Sequence, residues 1–261
     1  MKTRYAFLVF VLFLFGQTTV FGQLGFSHEV GLLTGPVAFQ SDYGLRNNFD
    51  TNKGNMGVGF ALVHYINFAY RADCNCYARD TYFSDHFKVR TELDFHITKL
   101  NHFGEEANKD SDEGRDLRDM EGRGKVFEIG SSLEYFPLSI RDYIAGAYRV
   151  APYVSLGAHY VTFDPQTTSS QPGIIGLSPE NTFDPFIGGV NDQSDNTWSI
   201  VWGVGARVRL SPLSDFVVES RWHYYLSNWV DGLNPNDELY KADKFNDWIY
   251  WVQAGYIYYL D

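Results

Sequence analysis

The sequence predicts an all-β protein: an eight-stranded antiparallel outer-membrane barrel that crosses the membrane with its strands and fills its interior with side chains. Three observations predict this fold. Segments that alternate apolar and polar residues recur through the chain. The clearest are longer than the about 5–6 residues usual for strands of globular proteins. After the N-terminus, no stretch approaches the roughly 18 consecutive apolar residues of a spanning helix.

Residues 1–22 predict a cleavable secretory signal peptide. Lys2 and Arg4 precede an apolar stretch from Tyr5 to Phe15 that is too short to span a membrane. Val20 and Gly22 stand at the −3 and −1 positions of a cut before Gln23. A membrane anchor is the less favoured alternative. Residues 23–261 then form a single barrel domain.

The first four strands are predicted at 26–40, 56–68, 86–100 and 125–136. Pro36 predicts an irregularity in the first. The second alternates least, and a helical turn is the alternative there. The third, His86 to Leu100, places a charge or a histidine at nearly every second position, and the fourth shows the same alternation.

The remaining strands are predicted at 151–163, 197–210, 216–226 and 247–260. The connections after strands one, three, five and seven are long and rich in Asn, Gly, Asp and Pro, which is typical of loops. We therefore expect the odd-numbered connections outside the cell and both termini in the periplasm. The connection after strand two holds Cys74 and Cys76, for which free thiols or a local disulfide are the favoured interpretation and a metal or redox role is the alternative.

Each strand has a polar and an apolar face. The polar faces give the predicted barrel-interior charge network: Lys88, Arg90, Glu92, Asp94, His96, Glu128, Glu134, Arg207, Arg209, Glu219, Arg221 and His223. The apolar faces give the predicted lipid-facing set: Phe87, Val89, Leu93, Phe95, Ile97, Trp198, Ile200, Trp202, Val204, Val208, Trp222, Trp248 and Tyr250.

The direction of these faces decides between two architectures. A soluble sandwich or lipocalin-like barrel turns its apolar face inward, whereas an outer-membrane barrel turns it to lipid. The long strands and the Trp and Tyr residues near strand ends favour the membrane barrel. The polar faces also carry five basic and five acidic groups in an acidic chain, which favours paired charges in a closed interior.

Three candidate sites have simpler alternatives that we prefer. The acidic residues Asp110, Asp112, Glu113, Asp116 and Asp119 could bind Ca²⁺, but they lack the spacing of a twelve-residue calcium loop. His96, His159 and His223 could meet as a metal or proton-sensitive site, yet membership of the ion network is the simpler interpretation. Ser220 with His223 could serve a lipid-modifying hydrolase, but no G-x-S-x-G motif is present. We expect no enzyme, no cofactor and no small-molecule substrate.

The formal charge is −11, and loss of Lys2 and Arg4 with the signal peptide leaves about −13, which argues against nucleic acid as a partner. The stretches "EVGLLTGPVAFQSDYG", "FKVRTELDFHITKLNHF", "FEIGSSLEYFPL", "APYVSLGAHYVTFDP" and "YYLSNWVDGLNP" resemble the PorG-like outer-membrane proteins of Bacteroidota. That resemblance implies an anchor or adaptor in the outer membrane that contacts periplasmic parts of a type IX secretion or gliding-motility machine. The sequence departs from the family in "YLSNWVDG" and in its Leu260-Asp261 end. A surface-adhesion barrel with functional external loops is the alternative.

Overall fold

The computed structural model describes residues 26–45, 48–68, 82–235 and 245–260. The predicted signal peptide and both cysteines lie outside these ranges, so those interpretations stay predictions. The described residues form one closed barrel of eight strands in the order β1 to β8, each antiparallel to its neighbours, with β1 pairing β8. The predicted fold class is confirmed.

The strands alternate inward and outward side chains along nearly their whole length. Their bounds are β1 Ser27–Gln40, β2 Met56–Asn67, β3 Phe87–Asn101, β4 Met120–Tyr135, β5 Val150–Ser169, β6 Asp195–Ser211, β7 Ser214–Tyr225 and β8 Trp248–Tyr259. The predicted second segment is a regular strand. At Pro36 the register continues, but the pairing with β8 is interrupted between Thr34 and Val37.

Four short α-helices lie in the described parts of the connections, together with a 3-10 turn at Asp184–Phe186. They are α1 Phe49–Asn52, α2 Tyr82–His86, α3 Asp112–Asp119 and α4 Ile140–Ala145. Ser111 caps α3 by accepting a hydrogen bond from the Gly114 amide, and Gly146 ends α4 in the left-handed conformation at φ 88°. None of the helices among the described residues is long and apolar enough to span a membrane.

The two ends of the barrel differ. One end carries the long connections 41–55, 102–119, 170–194 and 226–247, and β4 and β5 extend towards it beyond their predicted bounds. The other end, called the chain-end side below, carries the first and last described residues, Phe26 and Leu260, together with α2, α4 and the tight turn between β6 and β7. We call the described parts of the four long connections the loop cap.

Candidate functional site

The outward face of the barrel is an apolar band of limited height. On β3 it runs from Phe87 to Ile97, and on β5 the outward residues are apolar from Val150 to Tyr160. Above this level the outward residues of β5 become Thr162, Asp164, Gln166 and Thr168. The band spans about 11 residues on each strand, which matches the hydrocarbon thickness that a tilted strand crosses. Apolar residues outward and charges inward is the polarity of a membrane barrel.

Aromatic rings mark the edges of the band. Tyr160 packs edge-on against Trp198 at 5.5 Å between ring centroids, at the level where β5 turns polar. At the opposite edge the ring centroids of Phe87 and Tyr135 lie 5.1 Å apart. Such rings suit the boundary between water and acyl chains. Every residue predicted to face lipid lies on the outward face and is exposed or half-buried. Trp198 has the largest exposed fraction of this set, 55%. The half-buried members are Phe87, Val89, Ile97, Val208, Trp222, Trp248 and Tyr250.

The interior network begins near the chain-end side of the barrel. Glu29 accepts from Lys88 Nζ at 2.6 Å and from Arg207 Nη1 at 2.5 Å. Arg207 also donates to Glu134 at 3.0 Å. These four side chains are at most 1% exposed, so each charge is neutralised by a partner rather than by water.

The next layer towards the loop cap is built on two arginines. Arg90 lies 2.7 Å from both Glu92 and Glu219. Arg221 donates two hydrogen bonds to Glu92, from Nη1 to Oε2 at 2.5 Å and from Nη2 to Oε1 at 2.7 Å. Gly203 provides the room, because a Cβ there would lie 2.7 Å from Glu219 and 3.0 Å from the Arg221 side chain.

A third layer collects histidines around Glu128. The Glu128 Oε2 atom lies 3.1 Å from His159 Nδ1 and 3.0 Å from His223 Nδ1, and its Oε1 atom accepts from Tyr225 at 2.9 Å. His96 stands 3.7 Å from the same carboxylate and packs edge-on against Trp251 at 4.6 Å. The three histidines that the sequence left open therefore do meet.

The assignment of one residue, Arg209, to the interior network is wrong. Eleven of the twelve predicted side chains are buried inside the barrel, but Arg209 is half-buried at the chain-end rim. It donates to the carbonyl oxygens of Tyr143 and Ile144, both at 2.7 Å, and so holds α4 against the barrel end. The reason is its position: at the last residues of β6 an inward-facing side chain reaches α4 rather than the carboxylates of the lumen.

The expected balance of five charges of each sign is wrong as well. The spanning part of the interior also holds Glu29 and Asp215, which the sequence analysis did not assign. Glu29 could have been found by continuing the alternation of β1, because Gly31 and Leu33 follow it on the same face. The result is four cations, Lys88, Arg90, Arg207 and Arg221, against seven carboxylates, Glu29, Glu92, Asp94, Glu128, Glu134, Asp215 and Glu219.

Side chains fill the lumen from end to end. Trp251, Tyr65 and Tyr153 are at most 2% exposed and occupy the space between the charged layers. Tyr143 of α4 is buried against the chain-end side, and Phe39 and Phe163 close the side near the loop cap. An eight-stranded barrel is narrow enough for side chains to fill it, as observed here.

Two other candidate sites do not assemble. Ser220 points outward and lies 3.2 Å from the Tyr250 hydroxyl, whereas His223 points inward, so the two cannot act together. The acidic residues of 105–122 lie largely on α3, where Asp112 pairs with Arg115 at 3.0 Å. Within the described ranges these acids do not converge on a common point where an ion could bind.

The loop cap has a core of its own. Tyr43, His102 and Phe186 come from three different loops and pack in series with tilted rings, at 4.7 Å and 5.5 Å between ring centroids. The fourth loop joins through a bridge between Val190 and Leu233. Burial lowers the pKa of His102 to about 3, so its ring is neutral between Tyr43 and Phe186.

Buried acids tie the first loop of the cap to the last. The Asp42 amide donates to Asp231 Oδ2 at 2.7 Å, and Asp247 accepts from the Val230 amide at 2.9 Å. Burial raises the pKa of Asp231 to about 7. The cap is therefore a packed unit, and the contact between its first and last loops contains a carboxyl group whose pKa lies near neutral pH.

Comparisons with known proteins give structural neighbours only. No family model matches the sequence, and no curated protein matches it. A major outer membrane protein of Thermus thermophilus is similar at 14% identity and a TM-score of 0.45, covering 89% of this chain and 99% of the other. OprG of Pseudomonas aeruginosa is similar at 14% identity and a TM-score of 0.40, covering 89% of this chain and 95% of the other. Ail, the attachment invasion locus protein of Yersinia pestis, is similar at 13% identity and a TM-score of 0.38, covering 89% of this chain and 97% of the other.

Proposed function

We propose that this protein is a non-enzymatic barrel of the bacterial outer membrane that recognises a partner outside the cell through its loop cap. The observation that carries the proposal is the cap itself, in which four long loops interlock on top of a filled barrel. Long loops of such barrels face the outside of the cell, and the short turns face the periplasm. A barrel with no open lumen leaves its exposed surfaces as the working parts.

The cap presents an apolar patch above the level of the membrane. Ile174 and Leu177 are 71% and 70% exposed on the loop between β5 and β6. This loop is braced by its own hydrogen bonds: the Gly176 amide donates to the Thr182 hydroxyl at 2.8 Å, and the Gly188 amide donates to the Gly176 carbonyl at 2.8 Å. An apolar patch on a braced loop is the arrangement expected of a binding surface, because little conformational freedom is lost when a partner binds.

The experiment compares two sets of conservative surface changes in a strain that lacks the native gene. Ile174→Ser with Leu177→Ser alters the cap, and Leu138→Ser with Leu213→Ser alters exposed residues at the other end as a matched control. We expect the cap variant to reach the surface folded and to lose attachment of cells to surfaces or to other cells, while the control retains attachment. Full attachment by the folded cap variant would contradict the proposal.

An adaptor role at the periplasmic end is the second candidate, and one observation favours it. α4 is fixed to the barrel by Arg209, and Arg141 on its exposed side pairs with Asp85 of the neighbouring connection at 3.1 Å. The periplasmic end is thus a shaped surface suited to an envelope complex such as a type IX secretion machine. Loss of protein secretion in the Leu138 and Leu213 variant, with attachment intact, would favour this role over recognition by the cap.

A further inference from the structure

Four ligand-type side chains converge in the third interior layer from four different strands. They are Asp94 of β3, Glu128 of β4, His159 of β5 and His223 of β7, all at most 1% exposed. One oxygen or nitrogen atom from each lies within 4.8 Å of the others. We propose that these four residues bind a single divalent transition-metal ion of the Zn²⁺ class inside the barrel.

The backbone beneath the cluster is shaped to let the ligands meet. Asp94 and Glu128 are direct cross-strand partners, and His159 lies opposite Gly130. A Cβ at position 130 would lie 2.1 Å from the His159 ring. Glycine at this position therefore allows the imidazole to lean over β4 towards Glu128.

Asp94 supplies an independent sign that a cation belongs there. Its side chain is 0% exposed, and within the described residues neither carboxylate oxygen accepts a hydrogen bond. The ion-pair contact it does make is long, 3.5 Å from Asp94 Oδ2 to His159 Nδ1. A buried carboxylate without a close partner is strongly destabilising, and a coordinated cation would remove that cost.

The charge of the whole interior points the same way. Seven carboxylates face four Lys and Arg side chains, and the arginines are taken up by Glu29, Glu92, Glu134 and Glu219. No Lys or Arg forms an ion pair with Asp94 or Glu128 among the described residues. A divalent ion at this layer supplies positive charge where the arginines do not reach.

The donor set selects the kind of metal. Two imidazole nitrogens and two carboxylate oxygens suit Zn²⁺ and related transition ions, whereas Ca²⁺ and Mg²⁺ favour ligands made only of oxygen. His159 turns Nδ1 to the cluster while its Nε2 lies 3.0 Å from Glu92. A carboxylate behind a ligand histidine, together with Tyr225 on Glu128 at 2.9 Å, is the outer shell that orients metal ligands. Four protein ligands in a closed interior indicate a structural ion that enters as the barrel folds.

The test uses residues 23–261, the chain without its predicted signal peptide, refolded in detergent with Zn²⁺, or with Co²⁺ as a spectroscopic probe, followed by a chelator wash. We expect about one metal per folded chain and the intense visible bands of four-coordinate Co²⁺. Asp94→Asn and His223→Gln are expected to lose at least about tenfold in retained metal. Asp215→Asn is the matched control, since this acid lies in the same lumen but outside the cluster, hydrogen-bonded to Tyr259 at 2.7 Å.

Two results would overturn the site. One is a folded wild-type barrel that retains well under 0.1 equivalent of either metal. The other is unchanged metal retention in folded Asp94→Asn and His223→Gln. Should neither variant fold, as judged by heat-modifiable gel mobility, the wild-type Co²⁺ spectrum decides, because weak six-coordinate bands or no bands would exclude the four-ligand site. Both outcomes are independent of what the loop cap recognises.

Discussion

Replacement of Arg221 by Met tests the charge network most severely. The guanidinium is 0% exposed and donates to both oxygens of Glu92, and it also lies 3.7 Å from Glu219. Removing one partner of a buried ion pair costs about 3–5 kcal/mol, because the other charge is left in a medium of low dielectric constant. The interior already has more carboxylates than cations, so we expect a value at the upper end of that range.

The acidic partner behaves differently. In Glu92→Gln, Arg221 and Arg90 both keep Glu219, which lies 2.7 Å from Arg90. Loss of one carboxylate also reduces the excess of negative charge. We therefore expect Glu92→Gln to destabilise the barrel by less than Arg221→Met. We expect the double variant Arg221→Met with Glu92→Gln to be no less stable than Arg221→Met alone, with a coupling energy of about 2–3 kcal/mol.

The assay is reversible urea unfolding in phospholipid vesicles, followed by tryptophan fluorescence and by heat-modifiable gel mobility. The free energy of unfolding of the two single variants and the double variant completes the cycle. An Arg221→Met barrel within about 1 kcal/mol of wild type, or additive single effects, would refute the network as described. Equal costs for Arg221→Met and Glu92→Gln would refute the argument from excess negative charge.

Three further outcomes follow from the same structure. Trp202→Arg, in the middle of the apolar band, is expected to cost about 2–4 kcal/mol in the same urea assay, whereas Gln166→Arg on the outward face above the band stays within about 0.5 kcal/mol; equal effects would contradict the placement of the band. The buried Asp231 has its pKa raised from 3.8 to about 7, so the folded cap binds a proton that the unfolded loop releases, and cap stability falls as pH rises between those values and levels off above about 7. The protection of the 226–235 backbone amides against hydrogen exchange, corrected for the intrinsic pH dependence of exchange, should fall from pH 5 to pH 8 in wild type and change little in Asp231→Asn; a rise in wild type would contradict the assignment. The filled lumen predicts no ion conductance in planar bilayers at moderate voltage, and a stable open channel would show that the interior side chains do not seal it.

Strand number and facing could be predicted because both depend on local alternation. The opening of β3, where Lys88, Arg90, Glu92 and Asp94 alternate with apolar residues, fixes one face to the lumen once the barrel is closed. The upper extensions of β4 and β5 could not be read in this way. Their outward residues, such as Glu121, Arg123, Gln166 and Thr168, are polar like those of a loop, because they stand above the apolar band.

Only part of the interior site could be predicted from the sequence, because its assembly depends on more than local alternation. Facing can be read from one strand, whereas the meeting of Asp94, Glu128, His159 and His223 depends on register across four strands, which no single segment encodes. Arg209 lies on the correct face, but its height along the barrel sends it to α4 rather than to a carboxylate. The loop cap depends on contacts between segments far apart in sequence, such as Asp42 with Asp231, and these have no local signature.

The polarity of the barrel is tested most directly with two single-tryptophan proteins in vesicles of brominated phosphatidylcholine. One retains only Trp202, which is 40% exposed on the outer face, and the other retains only Trp251, which is 0% exposed within the lumen. Bromine quenches a fluorophore that touches acyl chains, so strong quenching of Trp202 with little quenching of Trp251 is the predicted result. Quenching of Trp251 with protection of Trp202, or a chain that stays monomeric in water without detergent, would show that the apolar faces point inward.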